Sequence, residues 1–390
     1  MTQFGRALRP LWGLASDAAF LNHGSFGACP LEVLKAQDSL RARMESHLDS
    51  FFFGEIMPQT GRVSMLRAAA AEMTAFINVP ADNFAFVENA SSGIQAVMRS
   101  LAFAPGDQIL VTDHTYNAMR LMVDTKCAET GASVVVVKIP LPATGDEIVA
   151  RFAAAITPAV KFAIVDHITS PTALLMPVER IIPLLKINGT RALIDGAHAV
   201  GQLALDVTAL GADWYVSNFH KWLFAPKGSA FLYASAEVAP FTQPNLISHF
   251  VAMGFPRSFE YVGTRDNTAW LATPAALKFF QRLGPASVRD YQRQLIALAS
   301  ALLVALGAVP VSGLEMCAAM RAFILPQARA AKPEDAEPVL RSLWEQARIQ
   351  TRPLVFGDKL ILRLSAQVYV DEHDISRLAD ALNRLGWPGR

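Results

Sequence analysis

The sequence predicts an α/β protein: a mostly parallel seven-stranded sheet between helices, followed by a smaller α+β domain at the C-terminus. Three observations carry this. From about residue 84, short β-rich runs alternate with helix-length segments. Several runs are almost continuously apolar, as strands covered on both faces are. Polar residues close or follow them: Asn89, His114, Asp166, Asp195 and Ser217 stand where an open α/β sheet places its ligand cleft.

In chain order, residues 1–30 read as an N-terminal segment packing on the small domain and the site entrance, 31–272 as the large domain and 273–390 as the small one. The strand runs are 84–87, 108–111, 133–138, 161–166, 191–195, 213–217 and 229–233. Helical stretches at 94–101, 119–130 and 178–186 separate earlier members, which implies right-handed βαβ units. The last two runs are joined by a loop, so an antiparallel strand enters there. One long helix is expected over about 274–306, then strands near 320–325 and 359–365 and a final helix from about 374. The run Phe51-Phe52-Phe53 reads as subunit interface.

Apolar residues make up 52% of 390 and charged residues 18%, which excludes a disordered chain. The net charge is +1, from 35 basic and 34 acidic residues without long runs of either sign, which argues against nucleic acid as partner. Cys29, Cys127 and Cys317 match no metal spacing and fit a reducing compartment. Residues 1–6 lack an apolar signal core, and no stretch reaches the roughly 18 apolar residues of a membrane span. A cytoplasmic protein is expected.

Two strand ends carry the chemistry. Asp195 closes Ala192-Leu193-Ile194, and Lys221 follows Ser217-Asn218-Phe219-His220. An amine and a carboxylate so placed suit pyridoxal phosphate: the lysine forms the Schiff base, and the carboxylate keeps the ring nitrogen protonated so that the ring accepts electrons. Aromatic neighbours desolvate the amine and favour its neutral form. The small-residue turn Asn89-Ala90-Ser91-Ser92-Gly93 between strand and helix suits a phosphate, although Asn and Ser are ordinary helix caps as well.

The chain resembles the class V aminotransferase-type, fold-type I pyridoxal-phosphate enzymes, and within them the isopenicillin N epimerase-like branch. The matching pieces are Asn22-His23-Gly24-Ser25, Asn89–Gly93, Asp113-His114-Thr115-Tyr116, Asp195-Gly196-Ala197-His198, the Lys221 segment, Gly263-Thr264-Arg265 and Leu362-Arg363-Leu364-Ser365. The resemblance implies that Ala90, Ser91 and Ser92 hold the cofactor phosphate with Asn218 and His220; family members often have Ser where Asn218 stands. Tyr116 or His114 would stack on the ring, with Tyr116 preferred for its flat, amphipathic ring. His198 would lie over or beside it. Thr264 would reach the phosphate of a partner subunit, making a homodimer. Arg363 would clamp a substrate carboxylate, and Asn22, His23 and Ser25 would line the entrance.

Lys221 would then act as base at Cα of an amino-acid-like substrate. Epimerisation needs an acid on the opposite face (Tyr116, His23 or a water), elimination needs a leaving group at Cβ, and transamination needs reprotonation on the cofactor. Epimerase-like chemistry is the leading expectation; a C–S lyase or aminotransferase is the alternative. Residues 347–357 lack the nucleophilic cysteine of cysteine desulfurases, which removes a persulfide route. A dinucleotide-dependent dehydrogenase lacks its G-x-G-x-x-G turn. A non-catalytic binding protein would not need both Lys221 and Arg363.

Overall fold

The computed structural model describes residues 4–58 and 62–386. Seven strands build the central sheet: β1 Phe84–Val87, β2 Gln108–Thr112, β3 Ser133–Val137, β4 Val160–Asp166, β5 Arg191–Asp195, β6 Trp214–Asn218 and β7 Ala230–Ala234. Each end lies within one residue of the expectation. Their spatial order is β1-β7-β6-β5-β4-β2-β3. Pairing is parallel from β6 to β3, whereas β7 runs antiparallel to both β6 and β1. The β6–β7 link carries no crossover helix, and parallel pairing needs one. Side chains alternate into two apolar layers: Ala192 and Ile194 of β5 enter one and Leu193 the other.

The helix expected from 94 starts at Ala90, because the Asn89 side chain caps it by accepting from Ser92 N at 2.8 Å. This helix lies hard on the sheet at Gly93, where a Cβ would come within 2.9 Å of Val216 Cγ1. The expected long helix is two, Thr273–Leu283 and Pro285–Ala305, broken at Gly284 with φ 78°. An apolar period cannot show that break; the Gly-Pro pair does.

A second, antiparallel sheet is built from β8 Val309–Pro310, β9 Met320–Ile324, β10 Arg352–Phe356 and β11 Lys359–Ser365, in the order β10-β11-β9-β8. Strand β10 was not foreseen. The N-terminal segment packs here: Gly5 N donates to Val368 O at 2.7 Å, and Ala19–Phe20 pairs with Ile349–Gln350. Residues 1–3 and 387–390, which end the two outer segments drawn from sequence, lie outside the described residues. Phe51, expected at an interface, is core, whereas Phe53 is exposed. Among the described residues no helix is long and apolar enough to cross a membrane.

Candidate active site

The carboxyl ends of β4, β5 and β6 open into a cavity of about 530 Å³, walled on the far side by β10, β11 and the N-terminal segment. Lys221 sits in the turn that leaves β6. Its carbonyl accepts from His23 Nε2 at 2.9 Å, and Gly27, at φ 67°, lets the N-terminal segment approach so closely that a Cβ would lie 2.0 Å from the His220 carbonyl. The turn is thus held from both sides.

Lys221 Nζ lies 3.2 Å from His198 Nε2. Trp222 Nε1 meets His198 Nδ1 at 3.4 Å, and an indole only donates, so Nδ1 is the acceptor. A neutral His198 therefore carries its proton on Nε2, facing Lys221 Nζ, where it donates to the lysine lone pair once the amine is neutral. Burial pushes His198 well below its ordinary value, and the charges of Lys221 and Arg363 add to that. Burial likewise lowers the Lys221 amine to about 8, against the pull of Asp195 and together with the charge of Arg363.

Asp195 closes β5 and accepts from Ala197 N at 2.9 Å through Oδ1. Burial raises its carboxyl, while the Ala197 N–H and Lys221 oppose the rise. Beside it on β4, Asp166 is its register partner and lines the same cavity. Asp166 Oδ2 is buried without a hydrogen-bond partner among the described residues; burial first and the Asp195 charge second raise its carboxyl well above the usual range. Two adjacent buried carboxyls do not ionise together readily.

Arg363, on β11, is 4% exposed and has no carboxylate partner among the described residues. Its Nη2 donates to Ser25 Oγ at 2.8 Å and Asn22 Oδ1 at 3.3 Å, and its Nη1 to the Ser170 carbonyl. Nε is buried without a partner among the described residues. An unpaired guanidinium in such a place suits an anionic ligand.

The expected residues divide. Asn22, Ser25, Ala90, Ser91, Tyr116, Asp195, His198, Asn218, His220, Lys221 and Arg363 all line the cavity. His23 does not: it is fully buried, its Nδ1 accepts from Tyr369 OH at 2.7 Å, and it props the Lys221 turn rather than the entrance. His114 does not either: Nε2 donates to Ile139 O at 2.9 Å and Nδ1 accepts from Thr172 Oγ1 at 2.6 Å, so both ring nitrogens are committed inside the core. Tyr116, on the cavity wall, is thus the ring within reach. Ser217, buried, turns its hydroxyl to the Gly196 carbonyl. The Ser92 hydroxyl turns away to Glu88 Oε2 at 2.6 Å. Asn218 Oδ1 accepts from Ala90 N at 2.8 Å and so shapes the turn. His220 donates from Nδ1 to Ser229 O at 2.8 Å, leaving Nε2 for the cavity, and burial lowers its ring to about 4. Thr264 is exposed and outside the cavity. No cysteine lines it.

Sequence reasoning missed Ser170 and Arg352 in this wall. Arg352 was within reach: a two-residue Gly357-Asp358 turn pairs Phe356 with Lys359 and, counting outward, Arg352 with Arg363.

The family model described as aminotransferase class-V matches residues 58–378. The probable L-cysteine desulfhydrase, chloroplastic, of Arabidopsis thaliana is 30% identical over 95% of this chain and 83% of its own length. The isopenicillin N epimerase of Amycolatopsis lactamdurans is 30% identical over 94% of each. Among solved structures, a C-DES mutant with glycine covalently linked to its PLP cofactor superimposes with a TM-score of 0.79 at 20% identity, covering 96% of this chain and 98% of that one. At that identity the last likeness speaks to fold.

Proposed function

The chain belongs to the class-V aminotransferase family, and on that premise we propose that it is a pyridoxal-phosphate enzyme removing the Cα proton of an amino-acid substrate, with Lys221 as base. The observation that carries the reading is one cavity holding a desolvated lysine, a strand-end aspartate and an unpaired arginine.

The residues fit the cofactor. Asp195 Oδ1 is engaged by Ala197 N, and the other carboxylate oxygen would hold the ring nitrogen of the cofactor. In the turn, Ala90 N is engaged by Asn218 Oδ1 and Ser92 N by Asn89 Oδ1, which leaves the N–H and hydroxyl of Ser91 to hold a phosphate beside His220 Nε2. Tyr116 supplies a flat face. When bound, pyridoxal phosphate supplies an aldehyde for amines and a protonated ring that draws electrons from Cα.

The protein's own groups do the rest. Asp195 holds the proton on the ring nitrogen. Arg363, steadied by Ser25 and Asn22, receives the substrate α-carboxylate and fixes which bond of Cα faces Lys221. Lys221 takes the Cα proton, and His198 Nε2–H steers its lone pair. From there elimination of a Cβ substituent needs no further group, and the desulfhydrase relatives favour it. Epimerisation needs a second acid; with His23 committed to Lys221 O and Tyr369, that part falls to Tyr116, and the epimerase relative favours it.

The large region 31–272 carries the cofactor residues and 273–390 carries Arg363. The exposure of Thr264 supports the reading that it would reach a neighbouring subunit's phosphate in a homodimer.

Incubation with L- and D-amino acids in heavy water tests the reading. Deuterium should enter at Cα in wild type and not in Lys221→Ala. Keto acid released together with ammonia and the Cβ substituent identifies the lyase, and keto acid without ammonia the aminotransferase; inversion that is lost in Tyr116→Phe while exchange persists identifies the epimerase. Exchange surviving in Lys221→Ala contradicts the assignment of the base.

A further inference from the structure

A second cavity of about 610 Å³ shares four walls with the first: Tyr116, Ser170, Arg352 and Arg363. Asp195, His198, His220 and Lys221 line the first alone. The second therefore opens on the carboxylate end of the site, away from the cofactor residues. Its volume is within the range of about 300–1,000 Å³ typical of small-molecule sites, well beyond what a thiol side chain fills.

Its lining is cationic. Arg120, Lys138, Arg352 and Arg363 face it, against one carboxylate, Asp113. Arg120 is matched by Asp124 at 2.9 Å, and Asp113 Oδ1 is engaged by Ile139 N at 3.0 Å. Among the described residues, Lys138, Arg352 and Arg363 make no ion pair. Arg352 and Arg363 are register partners across the β10–β11 hairpin, so both project from one face. Like charges there repel, and burial together with Arg352 lowers the Arg363 guanidinium to about 10. Leu354, Val355 and Phe356 add an apolar strip suited to methylene groups.

We propose, resting on the function above, that this second cavity receives the substrate side chain, and that the substrate is an α-amino acid with a distal anionic group held by Arg352 and Lys138. Arg363 keeps the α-carboxylate at the shared wall. The side chain passes Tyr116 along the apolar strip to the second pair of cations.

Calorimetric titration of the holoenzyme tests this with amino acids that differ only in charge: L-glutamate against L-glutamine, and L-2-aminopimelate against its terminal amide. The anion should bind at least about tenfold more tightly in one pair or both, the worth of one hydrogen bond to a charged group. Arg352→Gln should bring that ratio to within about twofold, and Lys138→Gln should lower it independently. Equal affinities within both pairs, or a ratio that survives both substitutions, overturns the proposal. If L-alanine binds normally in that case, the Cα reading stands alone; if no amino acid binds, both fall.

Discussion

Replacing Lys221 by methionine measures what the site costs the fold. Burial is the largest influence on the amine and lowers it from 10.5 to about 8; Asp195 opposes and Arg363 assists. That displacement corresponds to about 3 kcal/mol. It is an upper figure, because part of the Lys221 side chain faces the cavity and is screened. The folded value lies below the unfolded one. Between pH 8 and 10.5 the unfolded chain therefore binds more protons, and stability rises with pH. Below pH 8 the amine is charged in both states and the native state bears the whole penalty. Lys221→Met should stabilise the cofactor-free protein by about 1–3 kcal/mol at pH 7, and the advantage should vanish by about pH 10.5. Urea unfolding of both proteins at the two pH values reads it. In parallel, acylation of the Lys221 peptide, followed by mass spectrometry, should have its midpoint near 8. A variant no more stable than wild type at pH 7, with a labelling midpoint near the ordinary lysine value, would refute the reasoning.

Two further outcomes follow from the histidines. A phosphate anion beside His220 Nε2 raises a ring that burial holds at about 4, so cofactor binding near pH 7 should take up as much as about one more proton in wild type than in His220→Asn. Titration calorimetry in buffers of different ionisation enthalpy counts it, and equal uptake by both proteins excludes the contact. His114→Ala should lower stability by about 2–4 kcal/mol while barely changing cofactor affinity, because it empties a buried site, strands the Ile139 carbonyl and removes one of two partners of the Thr172 hydroxyl. Tyr116→Ala should do the reverse, weakening the cofactor about five- to tenfold. Thermal melts and cofactor titrations that show the opposite order would return the stacking role to His114.

The central sheet was legible because β4 and β5 are apolar along nearly their whole length, a pattern local enough to read. Asp195 and Lys221 were legible for the same reason: each follows such a run. His23 and His114 were not, since their burial is set by Tyr369, Lys221, Ile139 and Thr172, all distant in sequence, which no local pattern reports. A histidine at a cleft and one under it look alike in a chain of letters. Arg352 is different: its register followed from the Gly357-Asp358 turn, and the cue was overlooked. Asp166 was seen at a strand end, but its solitary Oδ2 depends on a neighbouring strand.

One short stretch ties the two working ends of the site together. Ser365 N donates to Leu21 O at 2.8 Å and Gly24 N to Ser365 Oγ at 3.1 Å, while Asn22 and Ser25 hold Arg363 and His23 holds the Lys221 carbonyl. Residues 21–25 thus act as a gauge block between guanidinium and amine, two groups on different sheets. An α-amino acid and a β-amino acid differ by one methylene across that gap. Under the proposed function, the choice between them rests on a segment that belongs to neither sheet.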